Sequence, residues 1–300
     1  MKSVDGEKPR VTVVIPCYNR ERFIRGTLES VLSQTYPNLE IVAMDDGSTD
    51  GTRKILEDYG GRIRILEHPS RINKGQSAAI NLGIRSTKGE YIAILDSDDL
   101  WAPEKIERQM EFLEKNPDVG LVYVNGFAVD EEGKTLYKLF RPGHVEPNSP
   151  ERVLLECHFN VPSNALVRRS AFEMAGEFDE TMRSAQDHDM AIRLAEVTKP
   201  AYLDEPLWYY RRHSETQSGK HTRRRWETGF KILSKACERR PYGLNIRRRR
   251  LAVLNFRIGQ CLIEEKRFVR AAARLALAGL LDPFRAVRVL AGLERRGSPH

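Results

Sequence analysis

Val11-Thr12-Val13-Val14-Ile15-Pro16-Cys17-Tyr18-Asn19 passes from five apolar or β-branched residues straight into a polar turn. A continuous run without polar alternation suits a strand buried on both faces, as strands of parallel sheets are. Working outward, residues 22–34 carry Phe23, Ile24, Leu28, Val31 and Leu32 at helical spacing, and Pro37 closes the segment. A second apolar run at 39–44 ends in Asp45-Asp46-Gly47-Ser48. The alternation continues with a helix over 52–59, a strand over 63–67, a helix over 76–86 and a strand over 91–95. Strict strand–helix alternation over about a hundred residues predicts a three-layer α/β sheet whose right-handed crossovers bring all strand C-termini to one edge. Ligands bind at that edge.

Beyond Asp99 the pattern is less regular. A helix over 103–115, a strand over Val119–Val129 and a hairpin turn at Glu131-Glu132-Gly133-Lys134 are followed by a proline-rich loop over 141–150. Then come a helix over 150–157, a strand over 163–168, a short helix over 169–175 and a helix over 186–196. From Thr222 the chain reads as helical throughout. Leu251, Leu254, Ile258 and Leu262 form one apolar stripe, and Phe268, Ala272, Leu275, Ala276 and Gly279 a second. These predict two antiparallel helices packed stripe to stripe, with a third after Pro283. The division expected is 1–219 as the α/β domain, with halves at about 10–100 and 101–219, and 220–300 as a helical extension.

Charge follows the same division. The 300 residues carry 49 Lys and Arg against 42 Asp and Glu, a net +7. Residues 220–300 hold 21 basic against 6 acidic residues (+15), leaving 28 against 36 (−8) in the first 219. With 40% apolar residues and a mean hydropathy of −0.51, the chain falls outside the disordered and membrane-spanning classes. The longest apolar run, 271–281, is broken by Arg274 and falls short of the roughly 20 residues a crossing needs. Met1 to Arg10 has no apolar core of a secretory signal, so a cytoplasmic location is expected. Cys17, Cys157, Cys237 and Cys261 lack metal-ligand spacing and read as free thiols.

Every chemically capable segment of the first half lies where a strand has just ended: Pro16-Cys17-Tyr18-Asn19, the Asp45–Asp50 turn, Asn73-Lys74-Gly75, and Asp96-Ser97-Asp98-Asp99. Carboxylates grouped after buried strands require a cationic partner. Asp96 and Asp98, two apart, can face one divalent cation that also holds phosphate oxygens. Asp50 and Asp99 read better as turn or cap residues.

Together, Val-Val-Ile-Pro-Cys-Tyr-Asn, Ser-Val-Leu-Ser-Gln-Thr-Tyr-Pro, Asp-Asp-Gly-Ser-Thr-Asp-Gly-Thr, Asn-Lys-Gly-Gln-Ser-Ala-Ala-Ile-Asn and Leu-Asp-Ser-Asp-Asp resemble the family 2 inverting glycosyltransferases of the GT-A fold, over roughly residues 11–218. The resemblance implies a Rossmann-like, nucleotide-diphospho-sugar transferase sheet. It also implies hexosyl transfer from a nucleotide-diphosphate sugar, UDP-linked by preference, to a saccharide or lipid-linked acceptor, as in bacterial cell-surface polysaccharide or glycan synthesis. Carried over by residue, Pro16, Tyr18 and Asn19 form the first nucleotide loop, with Tyr18 against the base. Asp46 reads the base, Lys74 lines the nucleotide site, Asp96 faces ribose and metal, and Asp98 ligates Mn²⁺ or Mg²⁺. Arg212 and His213, in Tyr-Arg-x-His-like sequence before a Ser-rich loop with Gly219 as its hinge, reach the diphosphate or metal. Asp187, at a helix start in Ser184-Ala185-Gln186-Asp187-His188-Asp189, is the catalytic base. The family usually has an acid where this chain has Gln186.

Two further readings stand beside this one. A non-catalytic nucleotide-fold scaffold would bind membrane or partner proteins through the basic helices. For the Arg223–Arg225 and Arg247–Arg250 clusters, the alternatives are a solvated helix face and attachment to an anionic membrane surface, peripheral on the inner face. Nucleic acid is not expected, since no recognition motif accompanies the charge.

Overall fold

The computed structural model describes residues 8–145, 149–156, 159, 161–213 and 222–290. The chain divides into two compact units, one of residues 1–153 with 157–214, the other of 154–156 with 215–300. The boundary expected after residue 219 falls in 214–221, outside the described residues, as do Cys157 and the Ser-rich loop with Gly219.

The first unit is built on a nine-stranded sheet. Its path runs β3-β2-β1-β4-β8-β6-β9-β5, with β7 beside β6. β1 (Val11–Cys17) is buried along its whole length and pairs in parallel with β2 (Leu39–Asp45) and β4 (Tyr91–Ile94). β2 pairs in parallel with β3 (Arg64–Glu67). The connecting helices are α1 (Ile24–Leu32), α2 (Thr52–Asp58) and α3 (Gln76–Arg85). Helix α1 buries Ile24, Thr27, Leu28 and Val31, the face its apolar spacing predicts. Gly83 of α3 lies so close to the sheet that a Cβ there would stand 2.5 Å from Val14 Cγ1.

The second half adds an antiparallel element. After β5 (Leu100–Trp101) and α4 (Lys105–Lys115), the buried β6 (Val119–Val129) forms a hairpin with β7 (Thr135–Lys138). Then follow α5 (Pro150–Leu155), a kinked turn α6 (Val161–Asn164), β8 (Ala165–Arg168), α7 (Arg169–Ala175), α8 (Gln186–Val197) and β9 (Lys199–Arg211). Strand β8 is antiparallel to both β4 and β6. It starts at Ala165, two residues later than the expected 163–168, because Ser163 (φ 75) bends the chain. Strand β9 was not foreseen: Pro200, Asp204, Glu205 and Pro206 interrupt its pattern. The structure accommodates them by shifting register against β6, with Val124 opposite Leu203 but Asn125 opposite Pro206. The far end of β9 lies against β5, Leu100 opposite Tyr209 and Trp101 opposite Trp208. That pairing carries the end of β9 beside the loop that follows β4.

The second unit is helical: α9 (Thr222–Arg239), α10 (Leu244–Glu264), α11 (Phe268–Leu281) and α12 (Pro283–Leu290). Leu254, Ile258 and Leu262 of α10 are buried as expected. The second stripe is corrected. Helix α11 buries Ala271 and Ala278 and sets Leu275 beside Gly259 of α10 as its stripe suggests, while Phe268, Ala272 and Ala276 are exposed, so the helix is rotated from the centre of the expected face.

Candidate functional site

The ends of β1 and β2 are laced together by polar contacts. Asn19, at φ 52, accepts the Thr49 N–H through Oδ1 at 2.8 Å, and its own N–H donates to Ser48 Oγ at 3.1 Å. Arg20 N–H donates to Thr52 Oγ1 at 2.7 Å. Pro16 is buried in β1 opposite Met44, and Tyr18 presents its ring to solvent at 43% exposure. Burial pushes the Cys17 thiol upward, which leaves it inert. Asp50 is the turn residue its position suggests, accepting the Thr52 N–H at 2.9 Å.

Asp46 is buried, and its two oxygens accept the backbone N–H groups of Lys74 and Gly75, each at 2.8 Å. His68 Nε2 stands 3.6 Å from the same carboxylate. Asp46 therefore fastens the Asn73-Lys74-Gly75 loop to the end of β2. Gly75 sits at φ +94, and a Cβ there would lie 2.6 Å from Arg183 Nη1. The Lys74 side chain is exposed.

The loop after β4 is held from three directions. Asp98 Oδ2 lies 3.1 Å from His213 Nε2 and 3.2 Å from Arg20 Nε, joining the ends of β4, β9 and β1. The His213 ring rests against Phe23, centroids 4.3 Å apart. Asp96 donates its backbone N–H to Ser163 Oγ at 3.1 Å and accepts Gln76 Nε2 on Oδ1 at 2.6 Å. Gln76 Oε1 in turn accepts Gln186 Nε2 at 2.7 Å, so two amides tie Asp96 to the N-terminus of α8. The expectation that Asp99 caps the following helix is corrected. Asp99 is buried and accepts Trp208 Nε1 at 2.9 Å and the Arg211 N–H at 3.0 Å, bolting the acidic loop to β9.

These surroundings separate the three carboxyls. Burial, then the charges of Asp99, Asp98 and Asp187, raise Asp96 well above the usual carboxylate range. Burial and the neighbouring Asp98 push Asp99 up to about 7. Burial also acts upward on Asp98, but the His213 hydrogen bond and the Arg20 charge outweigh it and bring Asp98 below its ordinary value.

Helix α8 begins after Ala185 in the left-handed region, φ 56. Asp187, its second residue, is half-buried and close enough to Asp96 to raise it electrostatically. Asp189 is fully buried and paired with Arg193 Nε at 3.0 Å, a structural ion pair. Arg212 is exposed and donates from Nη1 to Tyr137 Oη at 3.1 Å on the β7 hairpin, whereas His213 joins the acidic loop. Thus Asp46, Asp96, Asp98, Asp187 and His213 belong to interlocked loops, with Asn19 lacing the first two. Arg20, Gln76 and Ser163 were missed, although Arg20 directly follows the first loop and Gln76 lies inside the quoted Asn-Lys-Gly-Gln motif.

The donor set suits a hard divalent ion. Asp96, Asp98, Asp99 and Asp187 bring four carboxyl groups together, of which Asp98, beside Arg20 and His213, is the one held below its ordinary value. Among the described residues no group of three or more His, Cys, Asp or Glu is arranged to hold a metal unaided. One or two carboxylates with substrate phosphates and water completing the shell is the manner in which Mg²⁺-type ions are bound.

Comparison with known proteins places these features. The sequence model of Glycosyl transferase family 2 matches residues 12–175, which include the loops after β1, β2, β3 and β4 but stop short of Asp187. An uncharacterized glycosyltransferase of Rickettsia bellii (strain RML369-C) is 34% identical over 227 residues, 71% of this chain and 31% of its own length. The chondroitin synthase of Escherichia coli is 29% identical over 231 residues, 77% of this chain and 33% of its own. The chain thus spans about a third of the length of these relatives. Among solved structures, S. aureus TarS 1-349 in complex with UDP-GlcNAc superposes with a TM-score of 0.67 at 18% identity, covering 90% of this chain and 81% of that one. The mannosyltransferase PcManGT from Pyrobaculum calidifontis, in complex with GDP-Man and Mn²⁺, gives 0.61 at 22% identity, covering 97% and 82%. These likenesses show the fold: an α/β sheet of the GT-A type with a C-terminal helical region.

Proposed function

Because the chain belongs to glycosyl transferase family 2, we propose that it moves a hexosyl group, with inversion, from a nucleotide-diphosphate sugar to the hydroxyl of a saccharide or lipid-linked acceptor. The observation that carries this reading is the fastening of Asp98 to Arg20 and His213 while Asp96 is tied through Gln76 and Gln186 to the helix that bears Asp187. One constellation thereby combines an acidic donor site with a half-buried carboxylate on a separate helix.

Pro16, Tyr18 and Asn19 supply the first nucleotide loop, with the exposed Tyr18 ring available to stack on a base. Asp46 and Lys74 line the base side, where Asp46 fixes the loop that carries Lys74. Asp98, with Asp96, would hold Mn²⁺ or Mg²⁺, a reading that the grouping of oxygen ligands on this loop supports. Such an ion supplies Lewis-acid neutralisation of the departing diphosphate. His213 and Arg20 orient Asp98, and the exposed Arg212 is the residue we assign to the diphosphate. Asp187 takes the proton of the incoming hydroxyl as general base, the role in which a carboxylate opposite the leaving group gives inversion. A UDP-sugar is the donor we favour. Polysaccharide or glycan assembly is the setting, supported by the likeness to a chondroitin synthase. We take residues 1–219 as the catalytic domain and 220–300 as an extension, working in the cytoplasm at the inner membrane face. No helix among the described residues is long and apolar enough to cross a membrane.

The test is a panel of nucleotide sugars screened by thermal stabilisation and then by transfer, with and without Mn²⁺, in the parent and in Asp98→Ala. The proposal expects stabilisation by one donor class and transfer that both chelation and Asp98→Ala abolish. Nucleotide binding without turnover on any acceptor would favour the scaffold reading instead.

A further inference from the structure

Helix α11 is apolar on two opposite faces. One face buries Ala271 and Ala278, and Ala271 packs with Ile258 and Leu262 of α10. On the other, Val269, Ala273, Ala276 and Leu280 recur at i, i+4, i+7 and i+11, and all four are exposed, Val269 at 87% and Leu280 at 80%. Helix α12 adds Phe284 at 83% and Val287 at 65%, one turn apart. A helix that merely rests on its own unit carries polar residues on the outer face. The charged residues of α11 and α12 are all arginines, Arg270, Arg274, Arg285 and Arg288. Beside the stripe, a groove of about 390 Å³ is lined by Arg223, Arg267, Arg270 and Arg274 together with Glu227, Ile258 and Leu262. Glu227 and Glu265 engage Arg223, and Glu265 also meets Arg267, whereas Arg270 makes no ion pair among the described residues.

We propose that the exposed faces of α11 and α12 dock on an anionic lipid bilayer, with the apolar stripe entering the acyl boundary and the arginine groove taking headgroup phosphate. An apolar helix face bordered by arginines is the composition of interfacial helices, and acidic lipid complements their charge. A second copy of the chain would bring another segment of net +15 to the same surface, which like-charge repulsion opposes. This names the surface for the membrane-side placement proposed above. It draws on no catalytic residue, so its failure leaves the transferase reading intact.

The experiment is co-sedimentation of the full chain with vesicles of equal parts phosphatidylglycerol and phosphatidylcholine, against vesicles of phosphatidylcholine alone. Binding to the acidic vesicles should fall as salt rises from about 0.1 to 0.5 M. Leu280→Asp and Phe284→Asp, both at exposed positions, should remove it, and Arg285→Gln and Arg288→Gln should each weaken it about fivefold. Nucleotide-sugar binding by the same variants should not change. Equal binding to both vesicle types, or to neither, overturns the proposal. So does a lipid-free dimer in sedimentation velocity that Leu280→Asp dissociates, since the face would then belong to a second copy.

Discussion

Lys105 offers a sharp test of how the floor beneath the acidic loop is built. The side chain is fully buried, its Nζ 2.7 Å from Gln109 Oε1 and 4.0 Å from the centre of the Trp101 ring. Gln109 is fixed by donating to the Val122 and Asn164 carbonyls, and Trp101 Nε1 donates to the Ser163 carbonyl at 2.6 Å. The Asp96 backbone N–H donates to the Ser163 hydroxyl, so the lysine lies three contacts from Asp96. Burial depresses the Lys105 amine well below the ordinary lysine range. Between that depressed value and the unfolded value near 10.4, the unfolded chain holds one more proton than the folded chain, so stability rises with pH. The slope is about 1.4 kcal/mol per pH unit, or about 2.7 kcal/mol between pH 7 and 9 for an amine neutral throughout. Lys105→Met removes this slope and leaves Gln109 Oε1 without a donor, a pH-independent cost of about 1–3 kcal/mol. Urea unfolding at pH 7, 8 and 9 should show the parent gaining on Lys105→Met with each unit. Parallel curves would mean that the indole ring keeps the ammonium charged, and the reasoning from burial would fail.

Gln186→Glu sets a carboxylate against Gln76 Oε1, acceptor against acceptor, and adds a charge beside Asp187. Loss of that part-buried hydrogen bond, at about 1–2 kcal/mol, should lower kcat by about 5- to 30-fold with little change in donor KM, and steady-state kinetics would detect it. Gly75→Ala strains a positive-φ position and crowds Arg183. It should raise the nucleotide-sugar KM severalfold, about 1–2 kcal/mol of binding, while circular dichroism stays unchanged.

The parallel half of the fold was legible because its signals are local. The β-branched runs of β1 and β2 and the apolar face of α1 each state their own environment. The loops after those strands could be located for the same reason. What could not be read is non-local. Strand β9 is held in place by pairing with β6 and β5, against the tendency of its prolines and acids. Asp99 stands before a helix and looks like a cap, yet its carboxyl finds Trp208 and Arg211 more than a hundred residues away. Lys105 looks like a solvated helix residue until the rest of the core covers it. On α11 the expected stripe is only partly right: Leu275 lies beside Gly259 of α10, but Ala271 and Ala278 are the buried residues and Phe268 is exposed, a rotation that spacing alone does not set.

The proposed mechanism makes Asp187 the proton acceptor, on a helix separate from the loop that carries Asp98. The direct measurement is Asp187→Asn, assayed for transfer in Mn²⁺ alongside nucleotide-sugar affinity by titration calorimetry. Turnover should drop about 100- to 10,000-fold, the contribution of a positioned general base, while donor affinity stays within about twofold of the parent. A variant that transfers sugar at the parent rate would contradict the account and move the proton to another group.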